Sequence, residues 1–147
     1  ANYVPLSRPK PNTIVKVGCF HLEEGEVLKE KYVYELNNLA VNPLPVYKDD
    51  KYVGAGDAVV IDDNIGVRIT TNPDELEERN ETDFYNTKVI FGGRITPDDY
   101  KFEEGCILEL WEYNCKPIKI EKAGKTIGLG EIVVVGEHFG VKVTQVF

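Results

Sequence analysis

Several features common in other proteins are missing from this chain of 147 residues. It has no methionine, one tryptophan and three cysteines, none of them in a CxxC pair. An odd number of cysteines without that spacing favours a reducing, cytoplasmic setting. No apolar run approaches the roughly 18 residues that span a bilayer, and the N-terminus lacks the hydrophobic region of a signal peptide. Because position 1 is alanine, we expect Ala1 to follow a processed end or a domain boundary.

Basic clusters are also scarce, since the formal net charge is -8. A nucleic-acid-binding protein would show clustered lysine and arginine, so the composition argues against nucleic acid as a partner. The excess of acid is local, because residues 71–86 hold six of the 25 acidic residues and one of the 17 basic ones. A hydrophobic content of 42% is enough for a folded core, so we expect a globular protein.

One segment of the chain is written twice. GDAVVIDDNIGVRIT at residues 56–70 and GEIVVVGEHFGVKVT at residues 130–144 are separated by a constant offset of 74 residues. The alignment continues without a gap from residue 14 to residue 70 of the first copy. A match of that length in one register indicates an internal duplication. Identical pairs along it include Val15 and Val89, Glu35 and Glu109, Pro43 and Pro117, and Gly54 and Gly128.

Each copy has the hydrophobic pattern of β-strands. Residues 118–129 alternate between apolar and polar around Ala123-Gly124, which predicts a hairpin with a two-residue turn. The first copy predicts the same hairpin around Asp49-Asp50, whose residues suit a turn less well. An uninterrupted apolar strand follows at residues 58–61 and 132–135, and a short polar turn then leads to a last strand. Such an apolar strand needs a partner that covers it.

Helix signals are few. Asn72-Pro73 followed by acidic residues predicts a short helix within residues 71–86, which we interpret as an acidic, solvated linker. Thr96-Pro97 predicts another short turn, and the prolines of residues 1–13 predict an extended arm. The predicted organisation is therefore an arm at residues 1–13, a first domain at 14–70, a linker at 71–86 and a second domain at 87–147.

An enzyme would need a constellation of reactive side chains, and the candidates for one are sparse. The duplication gives Asp57 and Glu131 equivalent positions, where they would form a carboxylate dyad across a pseudo-twofold axis. Both stand close to predicted turns, where acidic residues are commonly just solvated. His21 and His138 occupy non-equivalent positions in the two copies. We therefore expect no catalytic residue, no metal site and no cofactor.

The pattern that the two copies share resembles a known domain. It runs from a glycine and an acidic residue through four aliphatic positions to Gly-Val-(Arg/Lys)-(Ile/Val)-Thr. This is similar to the SPOA (surface presentation of antigens) domain of flagellar motor switch proteins and of the cytoplasmic-ring protein of type III secretion systems. Residues 130–144 carry the strongest match, and residues 103–110 resemble that family's turn into its second strand. The first copy departs from the pattern at Lys31, Ala58 and Ile65.

The resemblance implies a mainly β fold made of two SPOA-like small β-barrel units. Family members pair as intertwined dimers that exchange strands, so we expect the two units of this chain to form an intramolecular pseudo-dimer with few short helices. By random-coil scaling the 16-residue linker can reach on the order of some tens of Å, so it permits such an exchange.

The resemblance also implies an assembly role. We expect a non-enzymatic structural and adaptor component of the cytoplasmic ring, or sorting platform, at the cytoplasmic face of the bacterial inner membrane. Its partners would be the stator protein that links the ring to the export ATPase and other ring subunits, and it would reach the membrane only through them. By position, the family's hydrophobic partner-binding patch falls on Ile132, Val133 and Val134, joined by Ala58, Val59 and Val60.

Two alternatives remain open at this point. Each of these aliphatic residues could simply belong to the core, because buried aliphatic residues outnumber those at interfaces. The chain as a whole could also be a duplicated β-barrel that binds a peptide or a small ligand in a system unrelated to secretion.

Overall fold

The computed structural model describes residues 12–61, 64–71, 85–93, 103–110 and 118–147. These ranges form ten β-strands and contain no helix, which confirms the prediction of a mainly β fold. The helix predicted within residues 71–86 and the turn predicted at Thr96-Pro97 lie outside the described residues. The strands are β1 Thr13–Phe20, β2 Val33–Leu39, β3 Leu44–Lys48, β4 Lys51–Ile61, β5 Asn64–Thr71, β6 Thr87–Gly93, β7 Ile107–Glu109, β8 Ile118–Lys122, β9 Lys125–Val135 and β10 His138–Val146.

All ten strands belong to one antiparallel sheet, in the order β2-β10-β9-β8-β6-β1-β3-β4-β5-β7. The first strands of the two copies, β1 and β6, pair at its centre, with Lys16 opposite Ile90. These two residues are themselves equivalent at the offset of 74. From this centre the same succession runs outward on both sides, and the final strand on each side comes from the other copy. β7 pairs with β5, and β2 pairs with β10.

The registers of equivalent strand pairs agree residue for residue at the offset of 74. Val67 lies opposite Leu108 between β5 and β7, and Val141 lies opposite Tyr34 between β10 and β2. The β-bulge between β3 and β4 recurs at the equivalent place between β8 and β9. A bulge after Lys16 shifts the central pairing of β1 with β6 by one residue. The duplication seen in the sequence is thus a duplication of strand pairing.

Both predicted hairpins are confirmed, and their turns have the same backbone shape. Asp49 and Asp50 have φ values of 49° and 66°, and Ala123 and Gly124 have 53° and 76°. Two successive positive φ angles are what a type I′ turn requires, and that turn matches the twist of the flanking strands. The sequence prediction was wrong in treating the second strand of each hairpin and the apolar segment after it as two separate strands. The second hairpin strand and the apolar strand form one continuous strand of 11 residues, β4 or β9.

The core is built from strands of both copies. Val15 and Val17 of β1 and Phe91 of β6 are fully buried at the centre of the sheet. Leu36 of β2 and Leu108 of β7, the two strands that cross to the other copy, belong to the same hydrophobic cluster. Burying such a side chain stabilises the fold by about 1.5–3 kcal/mol. Each copy therefore depends on the other for part of its core.

Two asparagine side chains join β2 to β1. The Asn37 side-chain oxygen accepts a hydrogen bond from the Cys19 N–H at 2.7 Å. The Asn38 amide donates to the Val17 carbonyl oxygen at 3.1 Å. β3 pairs with β1 only at residues 13–15, so these bonds satisfy backbone groups of β1 that β3 does not reach. The free edge of β2 is tied to the centre of the sheet by side chains.

Another asparagine fixes the start of β6. The Asn86 side-chain oxygen accepts from the Leu22 N–H at 2.8 Å, and its amide donates to the Leu22 carbonyl at 2.7 Å. Thr87 donates its hydroxyl to Asn86 at 2.9 Å, and Thr13 makes the same bond to Asn12 at 3.1 Å. Asn12-Thr13 and Asn86-Thr87 are identical pairs at the offset of 74. The repeat therefore begins at residue 12, two residues before the predicted start.

Candidate partner-binding site

The six residues predicted to bind a partner lie in two equivalent strand segments. Residues 58–60 belong to β4 and residues 132–134 to β9. Four strands separate β4 from β9 in the sheet, so the two segments are not neighbours within it. The chain therefore carries two copies of the candidate site, one in each half of the sheet.

None of the six side chains is buried. Val60 is 79% exposed and Val134, its equivalent in the second copy, is 63% exposed. Ala58 is exposed, whereas Val59 and Val133 are half-buried. Ile132 is also half-buried and packs against the core cluster. The alternative that these aliphatic residues all belong to the core does not describe Val60 and Val134.

The outer part of β4 has an open edge because its inner neighbour β3 stops short, and the described part of β8 likewise does not extend along residues 131–135 of β9. β3 begins at Leu44, which lies opposite Gly56 of β4. Beyond Gly56, β4 continues to Ile61 and pairs only with β5. Pro43 precedes β3 and has no backbone N–H to continue the ladder. Pro117 occupies the equivalent sequence position before β8. Within the described ranges, residues 57–61 and 131–135 each have a strand partner on one side only.

The backbone groups that face this open edge follow from the turn between β9 and β10. Gly136 and Glu137 form a two-residue turn, so the Val135 carbonyl accepts from the His138 N–H. Hydrogen-bonded and non-hydrogen-bonded pairs alternate along an antiparallel ladder. Val134, opposite Phe139, and Ile132, opposite Val141, therefore stand in non-hydrogen-bonded pairs. Their N–H and C=O groups point away from β10, toward the open edge.

The hairpin formed by β9 and β10 is held in place by residues of the first copy. Ala40 donates its N–H to the Glu137 carbonyl oxygen in the turn at 2.8 Å. His138 Nδ1 lies 2.9 Å from the Leu36 carbonyl oxygen, and its Nε2 lies 3.9 Å from a Glu35 carboxylate oxygen. Since a carbonyl only accepts, Nδ1 carries the proton in this contact. The end of the candidate site is thus fixed against β2 and the segment that follows it.

The rim of the second segment is acidic. Glu131 and Glu137 are exposed, and Glu131 lies opposite the exposed Lys142 in the ladder. In the first copy the equivalent of this cross-strand pair is an ion pair, in which Arg68 approaches Asp57 at 3.5 Å. Exposed pairs of this kind contribute about 0–1 kcal/mol, so their main effect is on which partner charges are tolerated.

A shallow cleft of about 330 Å³ lies beside β1 and β2 and was not predicted from the sequence. Phe20, Tyr34 and Tyr85 line it, together with the buried Cys19. The ring of Tyr34 lies 4.7 Å from that of Phe20 and 4.7 Å from that of Tyr32. Burial raises the pKa of the Tyr34 hydroxyl above its ordinary value, although a backbone hydrogen bond from Lys29 opposes the shift. We interpret the cleft as the space beside a cluster of packed aromatic side chains at the end of β1.

The acidic and histidine residues considered as reactive groups contact other residues of the chain. Asp57 is engaged with Arg68, and Glu131 lies five positions away in the strand order, in β9. His21 Nε2 lies 3.9 Å from Glu23, and His138 contacts the Leu36 carbonyl and Glu35. Among the described residues, no three histidine, cysteine, aspartate or glutamate side chains are grouped so that they could hold a metal ion.

No protein-family model matches the chain, and no curated protein is significantly similar to it in sequence. In the ranges that the structure describes, no helix has the length and apolar character needed to cross a membrane.

Proposed function

We propose that this chain is a non-enzymatic structural and adaptor component of the cytoplasmic ring of a type III secretion or flagellar motor switch complex. In this role it works at the cytoplasmic face of the bacterial inner membrane. It contacts other ring subunits and binds the stator protein that links the ring to the export ATPase. The residues assigned to that contact are Ile132, Val133 and Val134, with Ala58, Val59 and Val60 as the equivalent segment.

The strand pairing supports the finer part of the fold expectation, an intertwined pseudo-dimer of two small barrels. β2 of the first copy completes the β10 side and β7 of the second copy completes the β5 side, in equivalent registers. The hydrogen bonds of Asn37 and Asn38 to β1 bring the two ends of the series β2-β10-β9-β8-β6-β1 together. A series of strands whose two ends meet is what defines a barrel, and residues 131–135 of β9 extend beyond the described part of β8 at its rim.

The observation that carries the binding role is the exposure of Val60 and Val134 at equivalent places on open strand edges. An exposed apolar side chain alone needs no explanation. Here it recurs in both copies, on continuous aliphatic segments whose backbone groups lack a partner strand among the described residues. Edges of this kind are where extended partner segments bind other sheets.

Substitution of Val134 tests this role. We expect Val134→Asp to lower the affinity for the stator protein by a factor of about 30 or more, the size of a hot-spot contact. Val27→Asp is the matched control, because Val27 is 67% exposed and lies in the loop between β1 and β2. Isothermal titration calorimetry gives both affinities, and circular dichroism shows that both variants are folded. Equal binding by the two variants would contradict the site, and absence of binding by the unmodified chain would contradict the function.

The intramolecular pairing of the two copies has its own test. If both copies of one chain complete each other, the protein is a monomer of 16.6 kDa. Light scattering over a range of concentrations measures this directly. An obligate dimer would indicate that strands are exchanged between chains.

A further inference from the structure

Among the described residues, no strand covers the open edge of β9, and residues 132–135 lack several of the features that protect an edge from pairing with another strand. Residues 132–135 are Ile-Val-Val-Val, all β-branched and suited to a strand. Natural edges are commonly blocked by lysine, proline or a bulge. The bulge between β9 and β10 lies outside this segment, where Val143 and Gln145 pair with Gly130 and Leu129. Residues 132–135 contain neither lysine nor proline. Ile132 and Val134 therefore present regularly spaced donors and acceptors along this edge, because the register with β10 is uninterrupted from Gly130 to Val135.

We propose that residues 131–135 accept an extended partner segment as an additional strand, hydrogen-bonded to the N–H and C=O groups of Ile132 and Val134. The proposal rests on the proposed function, because it takes the partner segment to come from the stator protein. It adds the mode of recognition, which is backbone pairing along β9 with side chains selecting the sequence.

The two faces of β9 present different surfaces to the added strand. Val134 shares its face with Phe139, which lies opposite it and is only half-buried. On the other face, Val133 and Val135 extend over Gly140, where an added Cβ would lie 3.2 Å from Val133 and 2.7 Å from Val135. The protein's own valines thus fill the space above Gly140. An apolar side chain of the partner is expected on the face of Val134 and Phe139.

Charge favours a foreign segment over a second copy of the same edge. In the antiparallel register that places Val134 opposite Val134, Glu131 of one copy would lie opposite Glu137 of the other. Both are exposed, and like charges directly opposite each other destabilise a sheet. In the register that places Ile132 opposite Val134, the net charge of -8 on each copy of the chain is what disfavours the pairing. A partner segment with an apolar centre and lysine or arginine toward its ends avoids this repulsion. The chain's net charge of -8 favours the approach of such a segment.

Amide hydrogen exchange, followed by NMR on the full chain with and without the full-length stator protein, tests the proposal. We expect the amides of Ile132 and Val134 to exchange at least tenfold more slowly in the complex. The amides of Val133 and Val135 already pair with β10, so their exchange is expected to change little. This alternation is specific to an added strand, since side-chain docking alone protects no alternate set of amides.

A pair of substitutions at one position gives an independent readout. Val134→Pro removes the N–H that faces the open edge, whereas Val134→Thr keeps that N–H and the β-branched shape. We expect the proline variant to lose at least tenfold in affinity and the threonine variant to lose less than threefold. If the proline variant does not fold, hydrogen exchange on the unmodified chain remains decisive.

The outcomes separate this proposal from the function on which it rests. Absence of any binding to the unmodified chain contradicts the proposed function itself. Binding that leaves exchange at Ile132 and Val134 unchanged overturns strand addition and leaves the function standing. Protection of these amides that rises with concentration in the absence of stator protein identifies a second copy as the occupant, and also overturns the proposal.

Discussion

Lys31 donates its backbone N–H to the Val143 carbonyl oxygen at 2.8 Å, and Gly105 makes the equivalent bond to Ile69 at 2.7 Å. Both donors have positive φ, 67° for Lys31 and 90° for Gly105. The turn before each crossing strand therefore has the same backbone shape with glycine in one copy and lysine in the other. A side chain in this conformation costs about 1–2 kcal/mol per residue.

The first prediction concerns this turn. Lys31→Gly relieves the strain, and we expect it to raise the free energy of unfolding by about 1 kcal/mol, part of the gain being offset by the greater freedom of glycine in the unfolded chain. Gly105→Ala is the reverse change at the equivalent position, where no atom lies within 4 Å of the added Cβ, so it isolates the backbone effect. Urea denaturation measures both, and changes of the same sign would refute the equivalence of the turns.

A second prediction concerns Gly56, at the bulge where β4 passes from β3 to β5. A Cβ at this position would overlap the Arg68 carbonyl oxygen, which belongs to the paired backbone. We expect Gly56→Ala to lower the free energy of unfolding by about 2 kcal/mol or more, because the strands must separate. Gly136→Ala is the comparison, since Gly136 has a φ of 59° and nothing within 4 Å. Its cost should stay near 1 kcal/mol, and a thermal or urea midpoint that falls equally in both variants would contradict the overlap.

The third prediction concerns the hydrogen bonds between β2 and β1. Asn37→Ala leaves the Cys19 N–H without its acceptor at 2.7 Å, and Cys19 is buried. An unsatisfied buried donor costs about 1–3 kcal/mol. Asn42→Ala is the control, because the Asn42 side-chain amide donates a long hydrogen bond of 3.3 Å to the Asn38 side chain and none to the Cys19 N–H. We expect the Cys19 amide to exchange faster in the first variant alone, as measured by NMR, and unchanged exchange there would show that β2 is held in another way.

The fourth prediction concerns Tyr52, whose hydroxyl is buried without a hydrogen-bond partner among the described residues. Tyr52→Phe removes this unsatisfied group, so we expect the free energy of unfolding to rise by about 1 kcal/mol. Tyr32→Phe is the control, because Tyr32 is 54% exposed, and we expect it to change the free energy of unfolding by less than about 0.5 kcal/mol. Chemical denaturation of the two variants at pH 7 measures both changes, and equal changes would contradict the prediction.

The raised pKa of Tyr52 also predicts that the free energy of unfolding depends on pH in the alkaline range. Burial, and then the neighbouring Tyr47, raise the pKa of Tyr52 above its ordinary value. The folded state therefore holds the phenolic proton more tightly than the unfolded state, and stability falls as the pH rises from the ordinary pKa of about 10 through the raised value. We expect Tyr52→Phe to make this loss shallower. Unfolding curves at pH 8 and above 10 compare the slopes, and identical slopes would exclude a contribution from Tyr52.

The sequence alone was sufficient for the features that repeat at a fixed spacing. The offset of 74 predicted equivalent hairpins, and Ala123-Gly124 identified the turn because both residues are small and glycine accepts positive φ. The hairpin at Asp49-Asp50 could be found only through that equivalence, since its own residues are weaker turn formers. Local chemistry and internal comparison together predicted these elements.

Other features depend on contacts between distant parts of the chain. The continuity of β4 was missed because Gly54 and Gly56 interrupt the apolar pattern, although the structure uses them at a bulge where backbones approach closely. The bonds of Asn37, Asn38 and Asn86 join residues 18, 21 and 64 positions apart, and no periodicity reveals such pairs. The identical pairs Asn12-Thr13 and Asn86-Thr87 are visible in the sequence, but they lie just before residue 14, where the predicted repeat begins.

The sequence could predict which strand segments form the candidate site, but it could not predict which of their side chains are exposed. An aliphatic run such as residues 132–135 has the same sequence whether its strand is covered or open. The described part of β8 pairs with β9 only as far as Leu129, so residues 131–135 are open on that side. Ile132 packs on the core, whereas Val134, two residues farther along the same face of the strand, is exposed. Both depend on the tertiary arrangement.

The crossing of β2 and β7 also limits how the two copies can evolve. Leu36 is encoded in the first copy yet packs in a core that β10 of the second copy helps to form, and Leu108 has the reverse relationship. A change of volume in one copy must then be accommodated by side chains encoded in the other. The duplicated halves are free to diverge at their surfaces, as Val60 and Val134 allow, while selection on their interiors acts on both halves as one unit.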